Sequence, residues 1–441
     1  MTIDEVIRRA TLLVRPSKRE QDDLRRLSEG LLKKTERAVG RNSEARGALL
    51  GGSYAKGTWL PDEVDIDIFV KFDPETPVRT FESLGLKIGA EATRGYPRGK
   101  KFAQHPYTEA AVEGVKVNVV PCFAVVDRKW QSAADRSPYH VEIVSVLSEK
   151  TKEQIRLLKK FMKGVGVYGA EIQTRGFSGY VAEVLVMKHG DFLRTLGWFA
   201  GFEITNPKQP LTLPDPVDQG RDLGIAVSPQ KLGMIILASR EFLRAPSLAF
   251  FRGMKRLNRR KLESAVYALK FEHRQLSEDI LWGELRKTMR HLVGHLESHG
   301  FRIARAMAAS NNSTESAILL IPELTELPEE EQRIGPTVDR REDVEAFLKA
   351  NRKGTMLVWV DEEARVRLLK PRVHKSLAAL LSDLAKGKLG PTGASQDLAR
   401  GLKRTGVVQH GRALEGSAAK QSWLRAGLRE ITSDAIGTSN A

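Results

Sequence analysis

Two kinds of hydrophobic pattern divide the first half of the chain. Residues 65–72 and 115–120 alternate apolar and polar side chains and are bounded by Gly and Pro turns, which predicts two β-strands. Residues 17–39 repeat apolar side chains every three to four positions, which predicts an amphipathic helix. Residues 151–165 predict a basic helix, and residues 176–200 a buried one. An α/β region followed by helices is therefore expected.

The second half mixes both patterns. Residues 228–300 have mostly helical periodicity, whereas residues 318–321 and 355–360 are apolar and strand-like. Residues 343–351 between those strands predict a helix, and the last 70 residues predict basic helices. A chain of 441 residues exceeds one compact core and is long enough for about three domains. We therefore expect an α/β and α+β multidomain protein.

Composition narrows the class of partner and the compartment. The chain has 71 Lys and Arg against 55 Asp and Glu, a net charge of +16, which favours a polyanionic partner such as nucleic acid. Its single cysteine, Cys122, excludes a disulfide framework within the chain and fits a reducing, cytoplasmic setting. No apolar run approaches the roughly 20 residues of a membrane helix, so no membrane partner is expected.

Candidate chemistry begins at a Gly-Ser turn that precedes two aspartates. Gly51-Gly52-Ser53 can expose backbone N–H groups and a hydroxyl to phosphate oxygens. Twelve residues after Ser53, Asp65 and Asp67 lie two apart in an apolar strand, which puts both carboxylates on one face. Paired carboxylates at a sheet edge can share Mg²⁺ ions that clamp the attacking and leaving oxygens of a phosphoryl transfer. The pattern predicts a metal-dependent transferase.

A third ligand is expected on the neighbouring strand. In Val115-Lys116-Val117-Asn118, the face opposite the valines carries Lys116 and Asn118. The position where an aspartate is expected is Asn118. An amide oxygen is neutral, binds hard Mg²⁺ more weakly than a carboxylate and cannot accept the proton of an attacking hydroxyl.

Several short motifs, taken in order and spacing, resemble the archaeal (class I) CCA-adding enzymes, which are tRNA nucleotidyltransferases. The resemblance is dense to about residue 245 and looser beyond it. The motifs are the Gly-Ser loop with the two aspartates, Thr58-Trp59-Leu60-Pro61, Gln104-His105-Pro106-Tyr107, Val119-Val120-Pro121-Cys122, Asp135-Arg136-Ser137-Pro138, Arg156-Leu157-Leu158-Lys159, Val167-Tyr168-Gly169-Ala170-Glu171, Arg175-Gly176-Phe177-Ser178-Gly179-Tyr180 and Asp215-Pro216-Val217-Asp218.

The resemblance implies a four-part architecture. A polymerase-β-type nucleotidyltransferase head would span residues 1–145, and a helical neck that selects the nucleotide would span 146–250. An RRM-like α/β body would span 251–365, and a basic helical tail that binds tRNA would span 366–441. The implied reaction is template-independent addition of CCA to the tRNA 3′ end from CTP and ATP, with Mg²⁺ and with release of pyrophosphate. A homodimer is compatible with the resemblance.

The resemblance also implies roles for individual residues. The metal-binding and catalytic positions are Asp65, Asp67 and Asn118. The positions expected to contact the nucleotide, through its phosphates, ribose or base, are Gly52, Ser53, Lys56, His105, His140, Lys159, Tyr168 and Arg221.

Departures from the family pattern leave two alternatives open. Asn118 replaces the third aspartate, Lys56-Gly57 stands where Arg-Asn is common, and Asp222 follows Arg221 where Asn is common. The first departure favours a catalytically weakened or inactive tRNA-binding relative. The Asp-x-Asp pair alone would also allow another polymerase-β-type RNA nucleotidyltransferase, such as a poly(A) polymerase.

The second half carries most of the excess charge. Residues 252–305 hold 13 Lys and Arg against six Asp and Glu, and residues 365–429 hold 14 against three. Dispersed positive charge on helices suits contact with a phosphate backbone, in which shape rather than sequence is read. The sequence therefore predicts an RNA-binding surface there.

Overall fold

The computed structural model describes residues 1–61, 63–125, 127–253, 265–387 and 393–433. The chain folds into two compact units, Met1–Lys255 and Arg256–Ser433. The mixed α/β and α+β class expected from the sequence is confirmed. Part of the basic segment 252–305, residues 254–264, lies outside the described residues. The four-part division stays a prediction.

The first unit contains a five-stranded sheet and ten α-helices among its described residues. The strands are β1 (Ala45–Gly51), β2 (Asp65–Phe72), β3 (Arg98–Phe102), β4 (Pro106–Val112) and β5 (Val115–Phe123). The helices are α1 (Ile3–Val14), α2 (Lys18–Val39), α3 (Gly52–Lys56), α4 (Val78–Ala92), α5 (Ser137–Ser145), α6 (Glu149–Val165), α7 (Gly179–His189), α8 (Phe192–Ala200), α9 (Pro229–Arg244) and α10 (Ala249–Arg252). Two 3-10 helices, Ala133–Arg136 and Leu223–Ala226, lie between them.

The sheet runs in the order β1-β2-β5-β4-β3, with only the β2–β5 pair parallel. Its inner face packs on α2 and α4 through a cluster that includes Ile66, Val117 and Phe81. Helix α2 begins where Ser17 and Glu20 form a reciprocal capping box. The alternation predicted for both central strands is confirmed, since their apolar residues face this core.

Helices α6 to α10 form a separate core in the same unit. Phe161 of α6 packs against Phe192, Phe242, Phe250 and Phe251, all of them buried. The predicted buried helix at 176–200 is two helices, α7 and α8, because the glycine at 190 has a φ of 96° and ends the first one.

The second unit combines two sheets with helices. Its strands are β6 (Tyr267–Glu272), β7 (Ile303–Ser310), β8 (Glu315–Pro322), β9 (Glu330–Thr337), β10 (Leu357–Val360), β11 (Arg365–Pro371) and β12 (Val407–His410). Its described helices are α11 (Glu278–Ser298), α12 (Arg341–Asn351), α13 (Leu377–Ala385), α14 (Gln396–Thr405), α15 (Gly411–Lys420) and α16 (Ser422–Ile431). One sheet has the order β12-β6-β8-β7 and the other β10-β11-β9.

Strand β6 lies in a segment whose periodicity had indicated helix, and that prediction was wrong there. Leu269 and Phe271 enter one apolar cluster, whereas Ala268 enters another on the opposite face of the sheet. A strand covered on both faces lacks the polar alternation that distinguishes it from a buried helix. Strand β12 pairs with β6. Part of the segment expected to form a basic tail, residues 366–441, therefore contributes the edge strand of the β12-β6-β8-β7 sheet.

Candidate active site

Three polar side chains from two parallel strands lie on one face of the first sheet. Asp65 and Asp67 alternate in β2 with Ile66 and Ile68, which are fully buried on the other face. Asp67 pairs in register with Asn118 of β5. Residues that pair across strands point to the same side. The structure thus brings the three predicted metal-site residues together, although their roles stay predictions.

The Gly-Ser turn packs directly on this face. Strand β1 ends at Gly51, which pairs with Asp67, and α3 starts at the next residue. Gly52 has a φ of 63°, and a Cβ at that position would lie 1.8 Å from Oδ2 of Asp67. Any side chain at Gly52 would therefore be strained and would collide with the carboxylate. Ser53 follows in the first turn of α3.

Asn118 and Lys116 set the electrostatics of the two carboxylates. The amide Nδ2 of Asn118 donates to Oδ1 of Asp67 at 2.9 Å, and the Nζ of Lys116 lies 2.5 Å from Oδ2 of Asp65. Burial raises the pKa of Asp67, and the negative charge of Asp65 adds to that rise. A cation between the carboxylates would relieve both effects.

The residues present fit a hard divalent cation. Oδ1 of Asn118 is buried and accepts no hydrogen bond from any described residue. With Asp65 and Asp67 it gives a set of oxygen donors, which Mg²⁺ prefers. Across the described ranges, no cluster of three or more His, Cys, Asp or Glu is placed to hold a metal, since the third position here is an amide.

Two predicted nucleotide contacts, Lys56 and Lys159, meet at a buried carboxylate. Their Nζ atoms lie 2.9 and 2.7 Å from the two carboxylate oxygens of Glu183 in α7, and Thr58 donates to the same group at 2.6 Å. Burial alone would raise the pKa of Glu183, but Lys159 and Lys56 outweigh it and lower that pKa to about 2. Two ammonium groups thus share one carboxylate, which leaves one positive charge in excess.

A second polar cluster surrounds Asp215, which is fully buried. The Nε2 of His140 lies 3.3 Å from its Oδ2, the hydroxyl of Tyr180 donates to Oδ1 at 2.9 Å, and Arg221 donates to Oδ2 at 3.3 Å. His140 stacks on Tyr180 with ring centroids 3.7 Å apart. Burial lowers the pKa of His140 more than Asp215 raises it. The Nζ of Lys56 lies 4.8 Å from the centroid of the Tyr180 ring, so Lys56 contacts both the Glu183 cluster and the Asp215 cluster.

The remaining predicted contacts, His105 and Tyr168, have other neighbours. His105 lies between β3 and β4, with its Nδ1 3.1 Å from Oε1 of Glu82. Tyr168 follows α6, and the ammonium of Lys163 lies 4.9 Å from its ring centroid. Burial raises the pKa of Tyr168, and the carboxylates nearby, including Asp65, raise it further.

Glu183 and Asp215 were given no role from the sequence. Glu183 stands alone in the apolar run 181–186, and a buried carboxylate there requires a cationic partner. The sequence thus indicated that Glu183 has a cationic partner, but it did not indicate that the partners are Lys56 of α3 and Lys159 of α6. Asp222 also has a defined place, because its side chain accepts from the backbone of Leu213 and Gly224 and so holds the segment after Arg221.

Comparisons with known proteins cover nearly the whole chain. Residues 32–144 match the nucleotidyltransferase domain, residues 153–252 the second domain of tRNA nucleotidyltransferase, and residues 263–403 the C-terminal domain of CCA-adding enzyme. The first of these matches includes Ser53, Asp65, Asp67 and Asn118. It confirms the expected nucleotidyltransferase head.

Full-length relatives share one description, "CCA-adding enzyme". The protein of Sulfurisphaera tokodaii is 33% identical over 385 residues, which cover 84% of this chain and 89% of that protein. The protein of Pyrobaculum neutrophilum is 34% identical over 409 residues, covering 88% and 94%. That of Methanothermobacter thermautotrophicus is 33% identical over 363 residues, covering 76% and 78%. The identity and coverage are sufficient to assign a family, and the three domain matches follow one another along the chain. The chain therefore belongs to the CCA-adding enzyme family.

Proposed function

We propose that this protein adds cytidine, cytidine and adenosine to the 3′ end of tRNA without a nucleic-acid template. The tRNA 3′-oxygen attacks the α-phosphorus of CTP or ATP, and pyrophosphate leaves. The observation that carries the proposal is the packing of Gly52 against Asp67, beside Asp65, in a chain of this family. A turn whose N–H groups can bind phosphate, in contact with a pair of carboxylates that can bind a metal, suits phosphoryl transfer.

The Gly-Ser turn would hold the triphosphate, and the charges of Lys56 and Lys159 would attract it. Ser53 and the backbone of Gly52 lie beside the carboxylate face, and Lys56 follows one turn later on α3. Lys56 and Lys159 carry one more positive charge than Glu183 compensates. An anion placed next to this cluster would be attracted by that excess. Such fixed charge positions the substrate without having to reorganise during the reaction.

Arg221 would select the base together with His140. The guanidinium of Arg221 is held by Asp215, yet 41% of its side chain is exposed. Its remaining N–H groups keep a defined direction and can meet acceptors on a pyrimidine or purine edge. His140 is kept neutral at physiological pH by burial, and its Nε2 donates to the Asp215 carboxylate, so Nδ1 is left as an acceptor nitrogen. This arrangement supports nucleotide choice by protein groups rather than by a template.

Asp65, Asp67 and Asn118 would hold Mg²⁺. When bound, the metal supplies positive charge that offsets the phosphates and makes the 3′-hydroxyl easier to deprotonate. The chain's own part is to place the two carboxylates side by side and to leave the oxygen of Asn118 without another partner among the described residues. Asn118 cannot itself accept the hydroxyl proton, so that step is slower than with an aspartate at this position.

A weakened or inactive tRNA-binding relative is the second candidate, and Asn118 is the observation that favours it. The test is incubation of the protein with a tRNA transcript that lacks CCA, with Mg²⁺ and labelled CTP and ATP, followed by sequencing of the product ends. Ordered addition of C, C and A supports the proposal. Tight tRNA binding with no incorporation under Mg²⁺ or Mn²⁺ supports the second candidate, and long homopolymers on a non-tRNA primer indicate a poly(A)-type polymerase.

The setting of the reaction is also a proposal. We infer a cytoplasmic enzyme, because a chain with a single cysteine cannot form an internal disulfide and fits a reducing compartment. None of the described helices is long and apolar enough to span a bilayer. The homodimer compatible with the resemblance remains to be tested by light scattering.

A further inference from the structure

Residues 213–223 form a loop that closes on itself and carries Arg221. The backbone N–H of Leu223 donates to the carbonyl oxygen of Leu213 at 2.8 Å. Further into the loop, the N–H of Asp215 donates to the carbonyl oxygen of Arg221 at 2.9 Å. These bonds join the two sides of the loop to each other, so the place of the loop in the first unit depends on contacts with other elements.

Helix α5 supplies two such contacts from side chains that lie four residues apart. His140 contacts Asp215 near the start of the loop, with 3.3 Å between Nε2 and Oδ2. Arg136, at the N-cap of α5, donates from Nε to Oδ2 of Asp218 in the middle of the loop, at 2.7 Å. Residues four apart on a helix lie on the same face. One face of α5 therefore holds the loop at two aspartates that are three positions apart.

The side chain of Arg136 is itself held from two directions. Its guanidinium carbon lies 5.3 Å from the centroid of the Trp130 ring, and Trp130 packs edge-on against Tyr139 with centroids 5.2 Å apart. Only 18% of the Arg136 side chain and 17% of the Asp218 side chain are exposed. A carboxylate on one side and an aromatic ring on the other restrict the rotamers of an arginine, so the position of this guanidinium is defined.

Asp218 connects this ion pair to Arg221 through the backbone. The carbonyl oxygen of Asp218 accepts a hydrogen bond from the N–H of Arg221 at 2.9 Å. The guanidinium of Arg221 donates separately to Asp215 at 3.3 Å. Arg136 thus fixes the backbone from which the Arg221 side chain extends, whereas Asp215 fixes one N–H group of that side chain.

We propose that the ion pair of Arg136 and Asp218 positions Arg221 for base selection. Both are positioning residues that act through the backbone of the loop and do not touch the nucleotide. The guanidinium of Arg221 offers N–H donors, which cytosine and adenine meet with a ring acceptor on the Watson–Crick edge and uracil and guanine oppose with a ring N–H. Such a donor rejects the wrong base only while it is held in place. This proposal rests on the proposed function and adds two residues to the same site.

The test measures kcat/KM for the addition of CMP and of UMP by the full-length protein to a tRNA transcript that lacks CCA. Arg136→Ala and Asp218→Ala should each lower the ratio of the CTP value to the UTP value about tenfold, because the donor that opposes uracil can then move away. The double variant should lose no more than either single variant, since both changes break the same pair. The exposed ion pair of Asp23 and Arg26 in α2 is the matched control, and its alanine variants should keep the ratio within about twofold of wild type.

A second arm separates positioning from a general structural effect. For each variant, kcat for CMP addition at saturating CTP and the urea unfolding curve are measured. Positioning predicts that the fold and CMP addition are largely kept, while UMP addition rises relative to CMP addition. A structural role predicts that both additions fall together with an unchanged ratio, and that outcome would overturn the proposal. So would losses of selectivity that multiply in the double variant.

Failure of the proposed function would give a different result. If the wild type binds tRNA but adds no nucleotide, the proposed function fails. Equilibrium dialysis of labelled CTP and UTP against the complex with tRNA then decides the role of the pair. A lower ratio of CTP affinity to UTP affinity in Asp218→Ala than in wild type supports it, and equal ratios overturn it.

Discussion

Changing Asn118 to aspartate tests the metal site at the position where the sequence predicts a third carboxylate. The change removes the hydrogen bond from Nδ2 to Oδ1 of Asp67 at 2.9 Å. A hydrogen bond to a charged group contributes about 1.5–3 kcal/mol, and two carboxylates about 4 Å apart repel by a few kcal/mol at an effective dielectric constant near 20. Proton uptake relieves part of the repulsion, since burial has already raised the pKa of Asp67.

Without metal we therefore expect Asn118→Asp to lower the free energy of unfolding by about 1–3 kcal/mol. With saturating Mg²⁺ the loss should vanish, because the cation neutralises the new charge. The rate of nucleotide transfer should rise ten- to a hundredfold, which corresponds to about 1.4–2.7 kcal/mol of barrier.

The assay is single-turnover CMP and AMP incorporation by both forms across a Mg²⁺ titration, with thermal unfolding measured in chelator and in Mg²⁺. Asn206→Asp, in the exposed segment after α8, is the charge-matched control and should change neither quantity. Equal rates at every Mg²⁺ concentration, together with a stability that does not respond to Mg²⁺, would refute the placement of Asn118 at the metal.

Two further predictions concern the buried cluster and the basic surface. Since its lysines hold the pKa of Glu183 at about 2, below its ordinary 4.5, this carboxylate stabilises the fold above pH 4.5, and that stability is lost as the pH falls from 4.5 towards 2. Glu183→Gln should reduce the dependence of the unfolding free energy on pH in urea unfolding measured from pH 2 to 6; an unchanged pH dependence would contradict the pairing. Replacing three exposed basic residues of α15 and α16, Arg412, Lys420 and Arg429, with alanine should lower the salt dependence of tRNA binding by about two to three units of slope. The same change at Lys18, Lys33 and Arg37 of α2 is the control, and equal slopes for both triple variants would exclude this surface.

The face that carries Asp65, Asp67 and Asn118 could be predicted from the sequence, because it depends on the alternation of side chains along each strand. Asp65 and Asp67 two apart in an apolar strand share a face whatever surrounds them, and Val117 and Val119 fix the orientation of Asn118 in the same way. The prediction that these residues would be neighbours is confirmed by the parallel register of the two strands. Local periodicity was thus sufficient for the direction of each side chain, whereas the pairing of the two strands is seen only in the structure.

Contacts between distant segments could not be derived in this way. The pairing of Glu109 with Asn118 depends on the register of the β4–β5 hairpin, which no motif specifies. The sharing of Glu183 by Lys56 and Lys159 joins residues up to 127 positions apart. Strand β6 was missed because burial on both faces removes the alternation that identifies strands.

The pairing of β12 with β6 changes how the tail can be studied. Deletion from residue 365 onwards would remove a strand of the sheet and the buried leucines of α13, so loss of tRNA binding by a truncated protein would report unfolding. Point substitutions on exposed helix faces avoid this, since surface changes usually alter stability by less than about 0.5 kcal/mol.

Nucleotide transfer by Asp67→Ala tests most directly whether the carboxylate face is the catalytic site. Asp67 contacts the Gly-Ser turn, pairs with Asn118 and lies beside Asp65. Its carboxylate is therefore at the centre of the predicted metal site. The change Asp23→Ala, at an exposed position of α2, is the control. We predict that Asp67→Ala folds and binds tRNA as the wild type does, while CMP and AMP incorporation into tRNA lacking CCA falls below detection. Turnover at the wild-type rate would show that the Asp67 carboxylate takes no part in the transfer.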